Sequence, residues 1–154
     1  MSYKLTFDVL WQTKKFVPFR MRELPVQFIS EQDEQPPTVC QVEVLTSIDT
    51  LTTALIPVLT TWAKMYYRTV AELFPLAEYG ITIGKTRLEQ QYTITEIVVP
   101  RLSTCTTNYL FLCGECDWDS EHGIEFLLAN GSPIRCNAQE GLALSEEWDD
   151  YLRG

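Results

Sequence analysis

The stretch TNYLFLCGECDWDSEHGIEFLLANGSPIRCNA, residues 107–138, carries most of the fold information in the chain. It contains three apolar runs, TNYLFLCGECDW, GIEFLLANG and PIRCNA, and each run is typical of a β-strand. The pair Asn130–Gly131 favours a tight hairpin, since such turns need positive φ at their central residues. Gly123 offers the same backbone freedom before the second run. Residues 110–136 are therefore expected to form an antiparallel meander, with CDWDSEHG (116–123) in its first connection.

A long helical pattern lies upstream of the meander. Ser47 or Asp49 is expected to cap its start, and Pro75 with Gly80 to end it. Pro57 falls inside the pattern and predicts a kink or a short break, because proline removes a backbone donor and crowds the carbonyl of Thr53. The apolar residues recur at three- and four-residue spacing with one longer step: Ile48, Leu51, Leu55, Val58, Trp62, Met65, Val70 and Leu73.

Further strands are predicted on both sides of this helix. Alternation or β-rich composition marks YKLTFDVLW (3–11), TVCQVEVL (38–45), YGITIG (79–84) and YTITEIVV (92–99). Two runs that contain proline, KFVPFRM (15–21) and PVQFIS (25–30), are candidate edge strands. The polar run SEQDEQPP (30–37) is predicted to be an exposed loop.

These elements predict an α+β fold in a single domain, residues 1–154. An antiparallel β-sheet, with its meander in the C-terminal half, is expected to pack against one long kinked helix or two short helices. The tail LSEEWDDYL (144–152) predicts one short helical turn, capped by Ser145, with Trp148 and Tyr151 or Leu152 directed inward.

The cysteines indicate a compartment. Five cysteines cannot all pair within one chain, and no secretory leader is recognisable in MSYKLTFDVLW (1–11). Reduced, buried thiols are therefore the expected state, and the protein is expected to be soluble and cytoplasmic. No segment has the length and apolar composition that a membrane span requires.

Charge indicates the kind of partner. The net charge is −9, and residues 113–154 hold ten acidic residues against Arg135 and Arg153. Such a segment repels nucleic acid and anionic membranes and attracts a basic protein. The alternative is a solvated terminus whose charge serves solubility. The candidate partner-binding residues are Glu140, Glu146, Glu147, Trp148, Asp149, Asp150 and Tyr151.

Reactive side chains around the first connection raise a second hypothesis. Cys113, Cys116, His122 and Cys136 supply four zinc-capable ligands, and Cys116 or a Glu121–His122 pair supplies a nucleophile or an acid/base group. The zinc spacing lacks a second close pair, and residues 113 and 116 of a continuous strand point to opposite faces. A calcium loop and a phosphate-binding loop at Gly84–Lys85–Thr86 also fail on spacing. A zinc- or thiol-dependent enzyme is therefore the alternative function.

A structural interpretation explains the same residues without any reaction. Aspartates accept backbone hydrogen bonds in turns, histidine bridges a carboxylate and a carbonyl, and Trp118 is a large apolar anchor beneath a turn. No metal, cofactor or catalytic residue is then expected. The residues of this structural motif are Cys116, Asp117, Trp118, Asp119, Glu121, His122 and Gly123.

The motif also resembles a small bacterial family of uncharacterised domains. In that family a strand is followed by C-x-W-x-x-E-H-G, a second strand and a glycine-bearing turn. The matching residues are Cys116, Trp118, Glu121, His122 and Gly123, then Gly131 and the QEG run at 139–141, so that the resemblance covers residues 109–141. It implies a small cytoplasmic α+β protein, similar to the immunity proteins that neutralise a cognate secreted toxin. No catalytic role for these residues is implied.

Overall fold

One mostly antiparallel sheet organises the computed structural model, which describes residues 4–7, 10–30, 35–74, 87–102 and 104–153. In this part of the chain the strands lie side by side in sequence order. The two-residue β1 at one edge is followed by six longer strands. The strands are β1 (Thr6–Phe7), β2 (Trp11–Val17), β3 (Arg22–Phe28), β4 (Tyr92–Val99), β5 (Tyr109–Cys116), β6 (Ile124–Ala129) and β7 (Ser132–Asn137).

The predicted meander is confirmed. Strands β5, β6 and β7 pair antiparallel, and β4 pairs antiparallel with β5. Asn130 and Gly131 both have positive φ, at 50° and 83°, as the tight hairpin between β6 and β7 requires. Gly123 also adopts the left-handed conformation, with φ at 69°.

The N-terminal half departs from a purely antiparallel sheet. Strand β3 pairs parallel with β4, from Val26–Ile97 to Phe28–Val99, so β3 is not the edge strand that its proline predicted. The parallel pairing starts one residue after Pro25, beyond the position whose missing N–H would weaken it. The run 3–11 is not one strand either, since Phe7 of β1 pairs back onto Trp11 of β2.

The largest correction concerns TVCQVEVL, which is helical. Helix α1 (Val39–Ile48) starts at a capping box, in which the Thr38 side chain accepts from the Gln41 N–H and the Gln41 side chain accepts from the Thr38 N–H. Gln41, Val44, Leu45 and Ile48 are buried at helical spacing. The segment fits both the spacing of a helix and the two-residue alternation of a strand. The capping box favours the helix.

Two helices, rather than one kinked helix, precede β4. Helix α2 (Leu55–Leu73) begins so that Pro57 lies in its first turn, where its missing N–H costs no hydrogen bond within the helix. The predicted N-terminal cap Asp49 instead lies at the C-terminal end of α1. Pro75, Gly80 and the predicted strand 79–84 lie outside the described residues, as does most of the acidic part of the loop 30–37.

The buried face of α2 differs from the predicted stripe. Leu55, Leu59, Ala63, Tyr66 and Tyr67 are buried. Three residues of the predicted stripe are exposed instead: Val58, Met65 and Leu73. Among the helices in the described ranges, none is both long and apolar enough for a bilayer crossing.

The sheet is covered on both faces. Leu110 and Leu112 of β5 alternate with Phe111 and Cys113, and all four side chains are buried. Phe111 packs against Trp148, the first residue of the short helix α3 (Trp148–Arg153), with ring centroids 5.6 Å apart. Tyr92, on the other face, reaches Thr60 of α2 through a 2.8 Å hydrogen bond between their hydroxyls. The C-terminal tail therefore covers the face opposite to α2.

Gln41 holds the parallel junction together. Its Nε2 donates to the carbonyl oxygens of Ile29 and Pro100, at 2.7 and 3.0 Å, just beyond the ends of β3 and β4. Its Oε1 accepts from the Thr38 N–H at 3.0 Å. The side chain is only 2% exposed, so water does not replace these partners.

We expect Gln41→Met to lower the free energy of unfolding by about 3 kcal/mol, because it leaves two buried carbonyls without a donor. Urea denaturation measures the change. Gln90→Met replaces an exposed glutamine and is the matched control, with an expected change within about 0.5 kcal/mol. Equal changes in the two variants would contradict this role of Gln41.

Candidate functional site

The connection between β5 and β6 is a compact turn that Asp119 organises. The Asp119 carbonyl accepts from the Gly123 N–H at 2.9 Å, and its carboxylate accepts from the His122 N–H at 3.2 Å. The Asp119 carboxylate also lies 2.9 Å from His122 Nδ1. The predicted Glu121–His122 pair is therefore not formed; the histidine pairs with the residue three positions earlier, which the turn brings onto the same side.

The ionisation of this pair follows from the same contacts. The hydrogen bond from His122 Nδ1 to Asp119, with the negative charge of Asp119, raises the pKa of His122. Partial burial favours a higher pKa for Asp119, but its hydrogen bonds from His122 and Tyr66 outweigh this effect and lower it. The imidazole is exposed, and one of its nitrogens is committed to Asp119.

Trp118 joins the turn to helix α2. Its side chain is 3% exposed and packs edge-on against Tyr66 and Tyr67, with ring centroids 5.7 and 5.5 Å apart. The Tyr66 hydroxyl reaches both Asp119 Oδ2 and the Gly123 carbonyl oxygen, each at 3.1 Å. These contacts support the structural interpretation of the turn, in which the tryptophan is its anchor.

Gly123 lies against the backbone of β5. The Gly114 carbonyl oxygen accepts from Gln139 Nε2 at 2.8 Å, and a Cβ at position 123 would collide with that oxygen. The Gln139 N–H donates to the His122 carbonyl at 3.2 Å. Gly123 therefore meets two requirements: positive φ and close approach of two backbone segments.

Gly123→Ala is expected to cost at least about 3 kcal/mol of folding free energy, since backbone strain adds to a collision with a backbone atom. Gly141→Ala separates the two effects. Gly141 also has positive φ, at 74°, but a Cβ added there would meet no atom within 4 Å. We expect a cost of about 1–2 kcal/mol there, measured by urea denaturation. Equal costs at the two positions would show that the contact with Gly114 is unimportant.

The cysteines and the histidine do not converge on one centre. Cys113 lies near Glu125, at 3.9 Å from Sγ to Oε1, whereas the Cys116 thiol donates toward the carbonyl oxygens of Asp119 and Gly123. Within the described residues, no group of three or more histidine, cysteine, aspartate or glutamate side chains is arranged to hold a metal ion. Burial raises the pKa of Cys116 to about 12 and also raises that of Cys113, which disfavours a thiolate nucleophile.

The expectation of reduced cysteines is wrong for one pair. Cys40 of α1 forms a disulfide with Cys105 in the connection from β4 to β5. Their Cα atoms lie 4.9 Å apart although 65 positions separate them in sequence. Sequence alone does not indicate this pair, because it depends on α1 lying beside that connection. Cys113, Cys116 and Cys136 are free thiols.

Glu125 is a buried carboxyl that the sequence interpretation missed. It lies on β6 opposite Cys113 and is 7% exposed. Burial raises its pKa to about 7; the positive charge of Arg135 lowers the pKa, and the negative charge of Glu140 raises it. The available signal was that all the other residues of β6 are apolar, as expected for a strand covered on both faces of the sheet.

The raised pKa of Glu125 makes stability depend on pH. The unfolded carboxyl ionises near 4.5 and the folded one near 7, so the folded state binds more protons between these values. Stability is expected to fall as pH rises from 4.5 to 7. Glu125→Gln should therefore be more stabilising, relative to the wild type, at pH 8 than at pH 5, as measured by urea denaturation. Glu115→Gln, at an exposed site on β5, should show no such difference.

The acidic tail divides into exposed charges and packed rings. Tyr151 is half-buried and stacks on Trp148, with centroids 5.5 Å apart, and Trp148 is 0% exposed. Asp149 is half-buried and pairs with Arg101 at 3.2 Å. Trp148 thus has no surface to offer a partner, which removes it from the candidate contacts. The exposed candidates are Glu140, Glu146, Glu147 and Asp150, of which Asp150 pairs with Arg153 at 3.8 Å.

Ser145 does not cap α3 through its side chain. Its Oγ donates to the Leu142 carbonyl at 2.8 Å, while its own carbonyl accepts from the Trp148 N–H at 3.2 Å. The predicted short helix is nevertheless present, with Trp148 inward. This arrangement leaves Glu146, Glu147 and Asp150 exposed.

Sequence comparison places the chain in a family. The chain belongs to the family described as domain of unknown function DUF6985, which matches residues 2–144. No curated protein and no solved structure matches it. The family match includes the β5–β6 turn and all seven described strands, and it ends before α3.

Proposed function

We propose that this protein is an immunity protein, which binds a cognate secreted bacterial toxin and holds it inactive. The observation that carries the proposal is the set of exposed carboxylates in residues 140–150: Glu140, Glu146, Glu147 and Asp150. A basic partner is the matching chemistry, because many proteins that act on nucleic acids or nucleotides carry a positive cleft. In this proposal the protein acts by binding, not by catalysis.

The fixed position of the tail supports this interpretation over a solvated terminus. Trp148 Nε1 donates to the Arg101 carbonyl at 3.1 Å, and its ring packs edge-on against Tyr109 at 5.0 Å. Asp149 adds its ion pair with Arg101. Charges on a segment held in this way lose little conformational entropy on binding, which favours affinity.

The negative field also extends beyond α3. Glu140 contributes to the electrostatic environment of His122, Glu125 and Arg135, and Glu147 contributes to that of Arg135. Glu140 is therefore close enough to the β5–β6 turn to act on His122, and Glu147 acts on Arg135 of β7. A surface of one sign speeds the encounter with a basic partner and orients it.

The decisive experiment uses the product of the gene adjacent to the one that encodes this protein. We expect that product to arrest growth of a heterologous bacterium, and co-expression of this protein to restore growth through a complex that co-purifies. A neighbour that neither arrests growth nor binds this protein would refute the proposal.

Charge variants test the surface itself. The triple variant Glu146→Gln, Glu147→Gln and Asp150→Asn should slow association by about 10-fold at low salt, with a smaller difference at 0.5 M salt. The matched control removes three exposed carboxylates elsewhere: Glu23→Gln, Glu43→Gln and Glu72→Gln. Stopped-flow fluorescence measures both rates. Equal slowing in the two variants would assign the effect to net charge, and no slowing in either would exclude the tail as the contact.

A further inference from the structure

The two cysteines of the disulfide differ in their exposure to solvent. Cys105 is exposed, within a series of bends at residues 104–107. Cys40 is half-buried and packs against the hydrophobic core. A dissolved thiol or a protein thiol therefore reaches the sulfur of Cys105 more easily than that of Cys40.

The two sulfur atoms also differ as leaving groups. Cys40 is the second residue of α1, directly after the Thr38 cap and Val39, whereas Cys105 lies outside any helix. The first turn of a helix has backbone N–H groups without acceptors in the helix and the positive end of the helix dipole, and both stabilise a thiolate. Since a more stable thiolate leaves faster, Cys40 is the better leaving group.

We propose that the Cys40–Cys105 disulfide is a site of thiol–disulfide exchange that takes a dithiol, such as a protein C-x-x-C pair, as its co-substrate. A thiolate of the dithiol forms a bond to Sγ of Cys105, the bond between Cys105 and Cys40 breaks, and Cys40 leaves as a thiolate. The second thiol of the co-substrate then loses its proton, attacks its partner sulfur and releases Cys105. The dithiol is oxidised to a disulfide, and its two protons pass to Cys40 and Cys105.

The remaining cysteines do not compete for this exchange. Cys113 and Cys116 are buried, and Cys136 is half-buried and packs against the hydrophobic core. Burial raises the pKa of all three thiols, so that the reactive thiolate is scarce at neutral pH.

Reduction is expected to release a short segment without unfolding the protein. The neighbouring residues 100–102 keep three hydrogen bonds that do not involve the disulfide. Gln41 donates to the Pro100 carbonyl, Trp148 donates to the Arg101 carbonyl, and Thr38 Oγ1 donates to the Leu102 carbonyl at 3.0 Å. The change should therefore be confined to the bends at 104–107, which makes the exchange reversible.

Peptide mapping tests the direction of attack. The oxidised protein is exposed briefly to reduced glutathione, quenched with acid, and its free thiols are alkylated before digestion and mass spectrometry. We expect glutathione on Cys105 and the alkyl group on Cys40, in roughly 5-fold or greater excess over the reverse arrangement. Equal labelling, a preference for glutathione on Cys40, or failure of the folded protein to react would overturn the proposal.

Hydrogen exchange tests the structural consequence. After reduction with dithiothreitol, the amides of Gln41 and Val42 at the start of α1 and those of β4 should stay protected, and any increase in amide exchange should be confined to residues 104–107. The double variant Cys40→Ser and Cys105→Ser is the control, and it should reproduce the pattern of the reduced wild type. Global loss of protection on reduction would show that the disulfide is a structural staple and not an exchange site.

Discussion

The side chain of Gln41 satisfies the constraint on which the architecture depends. A parallel pair of strands needs a crossover connection, and here α1 and α2 form it between β3 and β4. The carbonyls just beyond both strands, at Ile29 and Pro100, are bonded to the same amide group. The start of the crossover is therefore fixed to the ends of the two strands that it connects. The capping box on Thr38 adds the helix start to the same network.

This network also explains where the sequence could be interpreted and where it could not. The meander was predictable because its turns carry local chemistry: Asn130 and Gly131 specify one backbone conformation, whatever lies around them. In TVCQVEVL the alternation of Val, Gln and Glu fits a strand, while Gln41, Val44, Leu45 and Ile48 fit a helix. The capping pair Thr38 and Gln41 was the local signal that distinguishes the two. The parallel pairing of β3 with β4 has no comparable signal, since it depends on how the crossover packs.

The reactive residues of the β5–β6 turn serve its conformation. His122 was paired with the wrong carboxylate in the sequence interpretation, because residue types reveal which groups can bond but not how a turn orients them. The turn brings Asp119 to His122 and to the Tyr66 hydroxyl of α2, and it places Gly123 against the Gly114 carbonyl. Trp118 then fills the space between the two tyrosines. Hydrogen bonds and ring contacts thus hold the connection against α2, and the close approach of Gly123 to Gly114 holds it against β5.

The tail shows why charge alone is a poor guide to a surface. Seven candidate contact residues were predicted from the clustering of acidic side chains, but in the structure the rings are packed whereas most of the carboxylates are exposed. Trp148 and Tyr151 are held by Arg101, Tyr109 and each other, so the rings contribute packing on the sheet face away from α2. The carboxylates gain from this arrangement, because a buried tryptophan fixes the backbone from which they project. The same packing buries Glu125. Loss of contact with water raises its pKa, and the negative charge of Glu140 raises it further. The same covering that positions the exposed acids therefore raises the pKa of the buried Glu125 to about 7.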